Sequence, residues 1–457
     1  MRSRRSRSRG AAAHGTRGAY QAQMPSRRLT SGGEASRAGS ARAKPRERLR
    51  SAHARANIGQ PFDHLQERLT MTAPLSPAGP LSGVRVLDLS RMIAAPFAAM
   101  SLGELGADVV KVERAGAGDD TRFFGPFDES GESPYFWAYN RNKAGIALDL
   151  SSDEGRQVVR RLALEWADVV IENFKGGTLE RWGLGLDDLR AEKPSLVTAS
   201  VRGYPLGDDR PGYDFILQAG AGLMSITGEP DGDPVRVGLP VVDLFAGHYL
   251  TSGILAALLE RARSGRGQHV SVSLYEAQVS MLAHAGLHYL ALGHQTPRVG
   301  NGNSSAGPYD VYPTKTDPVA VCCGSQHQFT GFCRELGRED LLEDPRFGSN
   351  SARVAHKSDL DAIVVAEFAA LPAEAVLAKL EAAGVPSGPV RTLPEVFDDE
   401  PATQPMKHVL PTDGGGQQPA IGLPWVFSDT PVGPRSAAPR LGQQSEEILA
   451  LLTDGAV

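Results

Sequence analysis

The sequence predicts an α/β fold, with a mainly parallel sheet flanked by helices on both faces and a smaller α/β unit after it. Two observations carry this. From Leu81 onward, short β-branched runs alternate with longer stretches of helical apolar period, which is the rhythm of βαβ units. A Gly/Asn/Ser-rich stretch at 299–307 then separates this pattern from a second, compact one.

Each element has a local reason. Val84-Arg-Val-Leu-Asp-Leu89 reads as the first strand. Residues 94–105 read as a helix with Pro96 in its first turn, where a missing N–H is harmless. Gly106 ends it, and 107–112 is the next strand. Strands at 146–150, 168–172 and 195–201 follow, with a helix from Ser152 to Ala167 between the first two. A helix over 244–263 places Leu250, Ile254, Ala257, Leu258 and Arg261 at mostly i, i+3, i+4 spacing. It stops at Ser264-Gly-Arg-Gly267, a C-terminal signal. A strand at 268–274 and a helix at 275–292 complete the first unit. Beyond the glycine-rich loop come strands at 309–312 and 318–323 and helices at 326–336, 358–371 and 373–383. A Pro/Gly-rich tail ends in a helix at 445–452.

Bulk properties narrow the function classes. The 457 residues are 41% hydrophobic and 22% charged, a globular composition long enough for more than one domain. No uninterrupted apolar run approaches the ~20 residues that a bilayer demands, so no membrane partner is expected. Cys322, Cys323 and Cys333 have neither metal-ligand nor CxxC spacing. That argues against a metal site and for a reducing, cytoplasmic setting. Residues 1–70 hold 16 Lys and Arg against four acids, whereas the rest holds 32 against 49. The main body is therefore acidic, with no global attraction for nucleic acid.

The basic N-terminus is expected to be a disordered extension over 1–75. It reads as a transit peptide, as a basic arm, or as sequence upstream of the true start. The third reading is preferred, with Met71 as that start, because composition changes sharply there. No GxGxxG, P-loop, HExxH or GxSxG is present, so a dinucleotide site is not expected.

Asp243 draws attention by its placement. It closes the apolar run Gly238-Leu-Pro-Val-Val-Asp243 just ahead of a long helix. A helix N-cap is the commoner role for such an Asp. A carboxylate nucleophile, kept ionised by the helix dipole, is the other. The two roles are compatible.

Eight runs, taken in order, carry a resemblance. They are Gly83-Val-Arg-Val-Leu-Asp-Leu89, Leu105-Gly-Ala-Asp-Val-Val-Lys-Val-Glu-Arg114, Asn140-Arg-Asn-Lys-Ala-Gly-Ile-Ala-Leu-Asp-Leu150, Asp168-Val-Val-Ile-Glu-Asn-Phe174, Gly212-Tyr-Asp-Phe215, Gly222-Leu-Met-Ser-Ile-Thr-Gly228, Ser264-Gly-Arg-Gly-Gln268 and Gly384-Val-Pro-Ser-Gly-Pro389. From about Leu81 to Leu452 the chain resembles the class III (CaiB/BaiF-type) CoA-transferases. The resemblance implies a Rossmann-like large domain (76–290, completed by 401–457), a small α/β domain (301–400) and an interlocked ring homodimer. It implies Asp243 as a nucleophile that carries acyl and then CoA, with CoA thioesters and carboxylic acids as substrates and no permanently bound cofactor or metal. Succinyl-CoA with a dicarboxylic acid such as glutarate is the nearest substrate pattern.

The resemblance also implies coenzyme contacts. Met92, Ile93 and Ala94 match the segment along the pantetheine and adenine. Arg114 matches a nucleotide contact and Leu148 an adenine-packing position. Asn173 and Phe174 match a pair near the pantetheine, and Arg181 a basic residue at the phosphates. Two positions depart from the pattern: Ser151 stands where some relatives carry lysine, and the loop near Gly212 is too short for a second one. Gly300, Gly302 and Gly307 are the candidate glycine loop over the aspartate. Gln218 is expected to position the acyl group.

The competing activity within the family is α-methylacyl-CoA racemization. It needs a histidine base thirty residues before the aspartate, where this chain has Tyr213. A phenol with a pKa near 10 is a poor base, so Tyr213 is expected to line the acyl pocket instead, with an ordinary core aromatic as the alternative. His248 is expected to be structural. A hydrolase, and a binder without activity, are the remaining alternatives.

Overall fold

The computed structural model describes residues 79–453; the expectations for the basic extension lie outside them. Six strands form one parallel sheet in the order β3-β2-β1-β4-β5-β6. They are β1 (Arg85–Asp88), β2 (Asp108–Arg114), β3 (Ala144–Leu148), β4 (Val169–Glu172), β5 (Val197–Arg202) and β6 (His269–Ser273). Strands β1, β2, β4 and β5 are almost wholly buried, with β4 buried at every position, as strands covered on both faces must be; edge strand β6 is largely open. The expected strand positions match these to within two residues.

The helices of this unit are α1 (Ala94–Glu104), α2 (Pro134–Asn140), α3 (Asp153–Arg161), α4 (Thr178–Arg181), α5 (Leu186–Glu192), α6 (Asp214–Gly220), α7 (Val241–Ser264), α8 (Leu274–Met281) and α9 (Ala283–Leu292). One core, with Val86, Ala98, Val169, Val197, Leu250 and Ile254, joins the sheet to α1 and α7. A second, with Leu87, Val110, Ile146, Trp166 and Ile448, fills the opposite face. Every residue of α1 is buried. Its many alanines let it nest between the sheet and α7. By length and composition α7 could cross a membrane, yet Val242, Ala246, Leu250, Ile254 and Ala257 form its buried stripe in the core.

Three expectations are corrected. The helix expected over 275–292 breaks into α8 and α9, because Ala283 takes a positive φ of 42°. The expected helix end at 162–167 is widened into a π turn over Leu162–Trp166. Helices α2, α4, α5 and α6 were not foreseen.

The second unit has a three-stranded antiparallel sheet of β7 (Tyr309–Tyr312), β8 (Val319–Cys322) and β9 (Ser387–Pro389). Helices α10 (Gln326–Glu335), α11 (Asp340–Glu343), α12 (Asn350–Ala355), α13 (Lys357–Ala369) and α14 (Ala373–Ala382) accompany it. Its own core includes Tyr312, Val321, Phe329, Phe332, Phe347 and Phe368. The tail contributes a hairpin, β10 (Lys407–Pro411) with β11 (Gln417–Ile421), and α15 (Ser445–Thr453). It returns to the first unit: Gln444 and Ser445 side chains accept from the backbone of Gly145 and Ala147 on edge strand β3.

Candidate active site

The sheet order reverses at β1, which pairs with β2 on one side and β4 on the other. The chains leaving β1 and β4 pass to opposite faces of the sheet, the topology at which open α/β sheets form a ligand crevice at the strand ends. The crevice is stitched across its floor. Asn173 accepts from the Arg91 N–H at 3.0 Å and donates to the Arg91 carbonyl at 2.7 Å. Met92 sits on this bend with φ 71°, a left-handed conformation that a side chain adopts only when its surroundings enforce it.

Most of the predicted coenzyme residues gather along this edge. Met92, Asn173 and Phe174 are half-buried at the crevice itself. Arg114 and Leu148 are register partners at the ends of β2 and β3; Arg114 is exposed and Leu148 buried. Exposed Arg181 closes α4, where it donates to the Thr178 hydroxyl at 3.0 Å. Ile93 and Ala94 are buried. The bend therefore presents Met92 and backbone to the crevice, and those two side chains serve as packing.

Asp243 lies in the first turn of α7, not at its cap. The helix begins three residues earlier than expected, with Pro240 as N-cap. The capping bond comes from elsewhere in the chain: Asp214 accepts from the Val242 N–H at 2.8 Å. Its other oxygen holds the Gln218 amide at 2.7 Å. Gln218 is fully buried and accepts from the Val237 N–H at 2.8 Å. It thus fixes the strand-like segment leading into Asp243, with its amide engaged by the chain itself.

Relieved of capping, the Asp243 carboxylate accepts no hydrogen bond among the described residues and is half-buried. Burial, and then the Asp214 charge, push its pKa up to about 7. Both effects oppose the helix N-terminus, which favours the ionised form. Asp214→Asn removes the second effect while leaving an oxygen for capping. The acid limb of the kcat/KM profile should then move to lower pH; an unmoved limb would show that Asp214 does not tune Asp243.

Gly247, one turn beyond Asp243, sets the distance between α7 and α1. A Cβ there would lie 2.6 Å from the Ala94 carbonyl oxygen and 2.8 Å from the Phe97 ring. The helix carrying Asp243 thus rests directly on the first turn of α1, beside the Met92 bend. His248 stacks edge-on against Phe97 at 4.8 Å between centroids, in keeping with a packing role.

Two aromatic groups were missed. Tyr135 and Tyr139 sit one turn apart on α2, their rings 5.7 Å apart. Burial raises both pKa values, with further pushes from Asp243 and Asp214, and Tyr139 is raised to about 12. Both stay protonated and can donate to an oxygen that gains charge near Asp243. The Ser133-Pro134 helix-start signal and the four-residue spacing were the available clues. Tyr213 is 60% exposed at the start of α6, which excludes a core role.

The glycine loop is tied to two other segments. Gly300 donates to the Gly228 carbonyl; Asn350 and Arg353 of α12 hold the Ser305 and Gly307 carbonyls at 2.7 Å each. No hydrogen bond among the described residues joins the loop to Asp243.

A carboxylate with no hydrogen-bond partner among the described residues, whose charge is felt by two protonated phenols, suits acyl chemistry. Among the described residues no His/Cys/Asp/Glu cluster is placed to hold a metal. The sequence profile of CoA-transferase family III matches residues 81–445. A succinate–glutarate CoA-transferase of Agrobacterium fabrum is 39% identical, covering 82% of this chain and 96% of that protein. A succinyl-CoA:glutarate CoA-transferase of Mus musculus is 38% identical, covering 81% and 86%. The crystal structure of a CaiB/BaiF family protein from Brucella suis superposes with a TM-score of 0.74 at 38% identity, over 82% of this chain and all of that one. With this extent of match on top of the parallel sheet and the Asp243 crevice, the chain belongs to CoA-transferase family III and is a CoA-transferase.

Proposed function

We propose that this enzyme moves CoA from succinyl-CoA to a dicarboxylic acid through covalent intermediates on Asp243. The observation that carries this is the half-buried Asp243 carboxylate with no hydrogen-bond partner among the described residues, beside the switch-point crevice. An Oδ oxygen of Asp243 attacks the thioester carbonyl, the C–S bond breaks, and an aspartyl-acyl anhydride and CoA thiolate result. The thiolate attacks the aspartyl carbonyl, which releases the first acid and leaves an enzyme–CoA thioester. The acceptor carboxylate attacks that thioester and regenerates thiolate with a second anhydride. Attack of the thiolate on the acceptor's acyl carbon frees the new acyl-CoA and Asp243. No electron or net proton is consumed, so no metal or organic cofactor is needed. Tyr135 and Tyr139 donate to the tetrahedral oxyanions. Met92, Asn173, Phe174, Arg114 and Arg181 hold the coenzyme, the arginines at its phosphates, and Gly300 to Gly307 shield the intermediates.

The dicarboxylate reading draws on the names of the relatives. A homodimer, interlocked as in the family, is supported by α9. None of its residues is buried, and Leu287, Leu290 and Leu292 are 63%, 79% and 74% exposed, far more apolar surface than an isolated chain sustains. Three free cysteines suit a reducing cytoplasm. Incubation with succinyl-CoA and a panel of mono- and dicarboxylic acids tests the function. Acid-dependent formation of a new acyl-CoA is expected, and release of free CoA without it would indicate a hydrolase.

A further inference from the structure

Beneath the crevice lies a set of buried charges that the chemistry above does not use. Lys143 is fully buried, and an ammonium has three protons to donate. Each goes to a different element: Asp88 at the end of β1 at 2.8 Å, the Pro96 carbonyl in the first turn of α1 at 2.9 Å, and Asn140, the last residue of α2, at 2.9 Å. The tripod therefore ties together the strand before the Met92 bend, the helix after it, and the helix bearing Tyr135 and Tyr139.

A second buried lysine supports the bend from the other side. Lys111 donates to the Ser90 carbonyl at 2.8 Å and to Asp119 at 3.0 Å. Asp119 in turn accepts from the Met92 N–H at 3.3 Å. Asp88 accepts from both the backbone and the hydroxyl of Ser90. Ser90, Met92 and Pro96 are thus all held from below, and Met92 is held in a left-handed conformation at φ 71°. Such strain persists only where the surroundings over-determine it, and it concentrates at functional sites. Fold stability alone does not call for this arrangement, because a buried ion pair can be replaced by apolar or neutral groups of similar shape at little cost.

We propose that Lys143 is a positioning residue of the transferase, whose ammonium keeps the coenzyme-binding bend Ser90–Ala94 and the Tyr135/Tyr139 helix in register around Asp243. This rests on the functional reading above. The groups facing the ammonium are Asp88, Lys111 and Asp119, with Asn140 from α2. Burial, opposed by Asp88 and assisted by Lys111, brings the Lys143 pKa down to about 8. Above that pH one of the three donated protons is lost and the tripod weakens. The sign separates this from unfolding: a lysine with a depressed folded-state pKa makes the native state gain stability, relative to the unfolded chain, as pH rises from about 8 toward its ordinary value.

The test is the double variant Asp88→Asn/Lys143→Met, which removes the tripod without leaving an unpaired buried charge. The full-length variant is first checked for native circular dichroism and a cooperative melt. The expected result is a KM for acyl-CoA raised about tenfold or more, with the KM for the acceptor acid changed less than about twofold. A folded double variant with the parent's KM for acyl-CoA, or with equal rises for both substrates, overturns the proposal. If the variant does not fold, the parent enzyme decides. Its KM for acyl-CoA should climb as pH passes 8 while the acid's KM stays level, and a flat profile from pH 7 to about 9.5 overturns the proposal. A parent with no transfer activity would sink the functional reading instead. The same outcomes are then read from the dissociation constant of CoA itself.

Discussion

Asp243→Asn should lower transfer activity by about 10⁴-fold or more, the scale seen when a covalent nucleophile is removed, and should make the protein more stable at pH 8. The first effect follows because an amide cannot form the anhydride. The second follows from the sign of the pKa shift. Burial and Asp214 raise the folded-state value to about 7 from the ordinary 3.8. Between those pH values the native state binds the proton more tightly than the unfolded chain. Stability is therefore lost as pH rises from about 4 through 7, and above 7 the whole penalty is present. Asparagine removes the penalty. A gain on the order of 2 kcal/mol at pH 8, after allowing for the partial exposure of the group, is expected. The gain should fade as pH is lowered toward 4. Thermal melts of parent and variant across that range check it, and an equal or lower midpoint for the variant at pH 8 would contradict the reading of Asp243 as a desolvated acid. Opposite changes in activity and stability are the signature of a site where function is held at the expense of the fold.

Gly247→Ala should cost about 100-fold in kcat/KM although Gly247 is buried against α1. A methyl group there would sit 2.6 Å from the Ala94 carbonyl and 2.8 Å from Phe97, and the first of these is backbone that cannot turn aside. Helix α7 must move off α1, carrying Asp243 away from the Met92 bend. A displacement near 1 Å at a reacting group is enough for a loss of about that size. Overpacking should also destabilise by about 1–3 kcal/mol. Steady-state kinetics and denaturant unfolding of one preparation separate the two. Unchanged kcat/KM in a destabilised variant would mean that the α1–α7 spacing does not set the site.

The sheet was legible because its strands are short, β-branched and punctuated by glycine, and because buried parallel strands leave an unmistakable apolar signature. Asp243 was legible as a residue but not as a role. Its local sequence fits a cap, and only the fold shows that Asp214, far away in sequence, supplies the cap and leaves Asp243 free. The Gln218 bond to Asp214 is an i, i+4 contact within α6, but its bond to the Val237 N–H joins a separate segment that the local sequence does not point to. Helix α2 escaped notice because Tyr-Phe-Trp-Ala-Tyr favours strands on propensity alone. Its burial against α1 overrides that preference, and with it the tyrosines near Asp243 were lost. The hairpin β10–β11 was hidden in a Pro/Gly-rich tail, although Gly414-Gly-Gly416 between two strand-like runs was a readable turn. Lys143 lay in plain view within the Asn140-Arg-Asn-Lys run. Nothing in a linear sequence shows that its three protons reach three different elements.

Covalent attachment at Asp243 can be tested by trapping. Hydroxylamine added during turnover converts an acyl group or CoA thioester held on a carboxylate into a hydroxamate. Peptide mapping by mass spectrometry should find that hydroxamate on Asp243, and only when acyl-CoA is present. Transfer that proceeds with Asp243 unmodified, or a hydroxamate on a different carboxylate, would contradict the covalent role assigned to it.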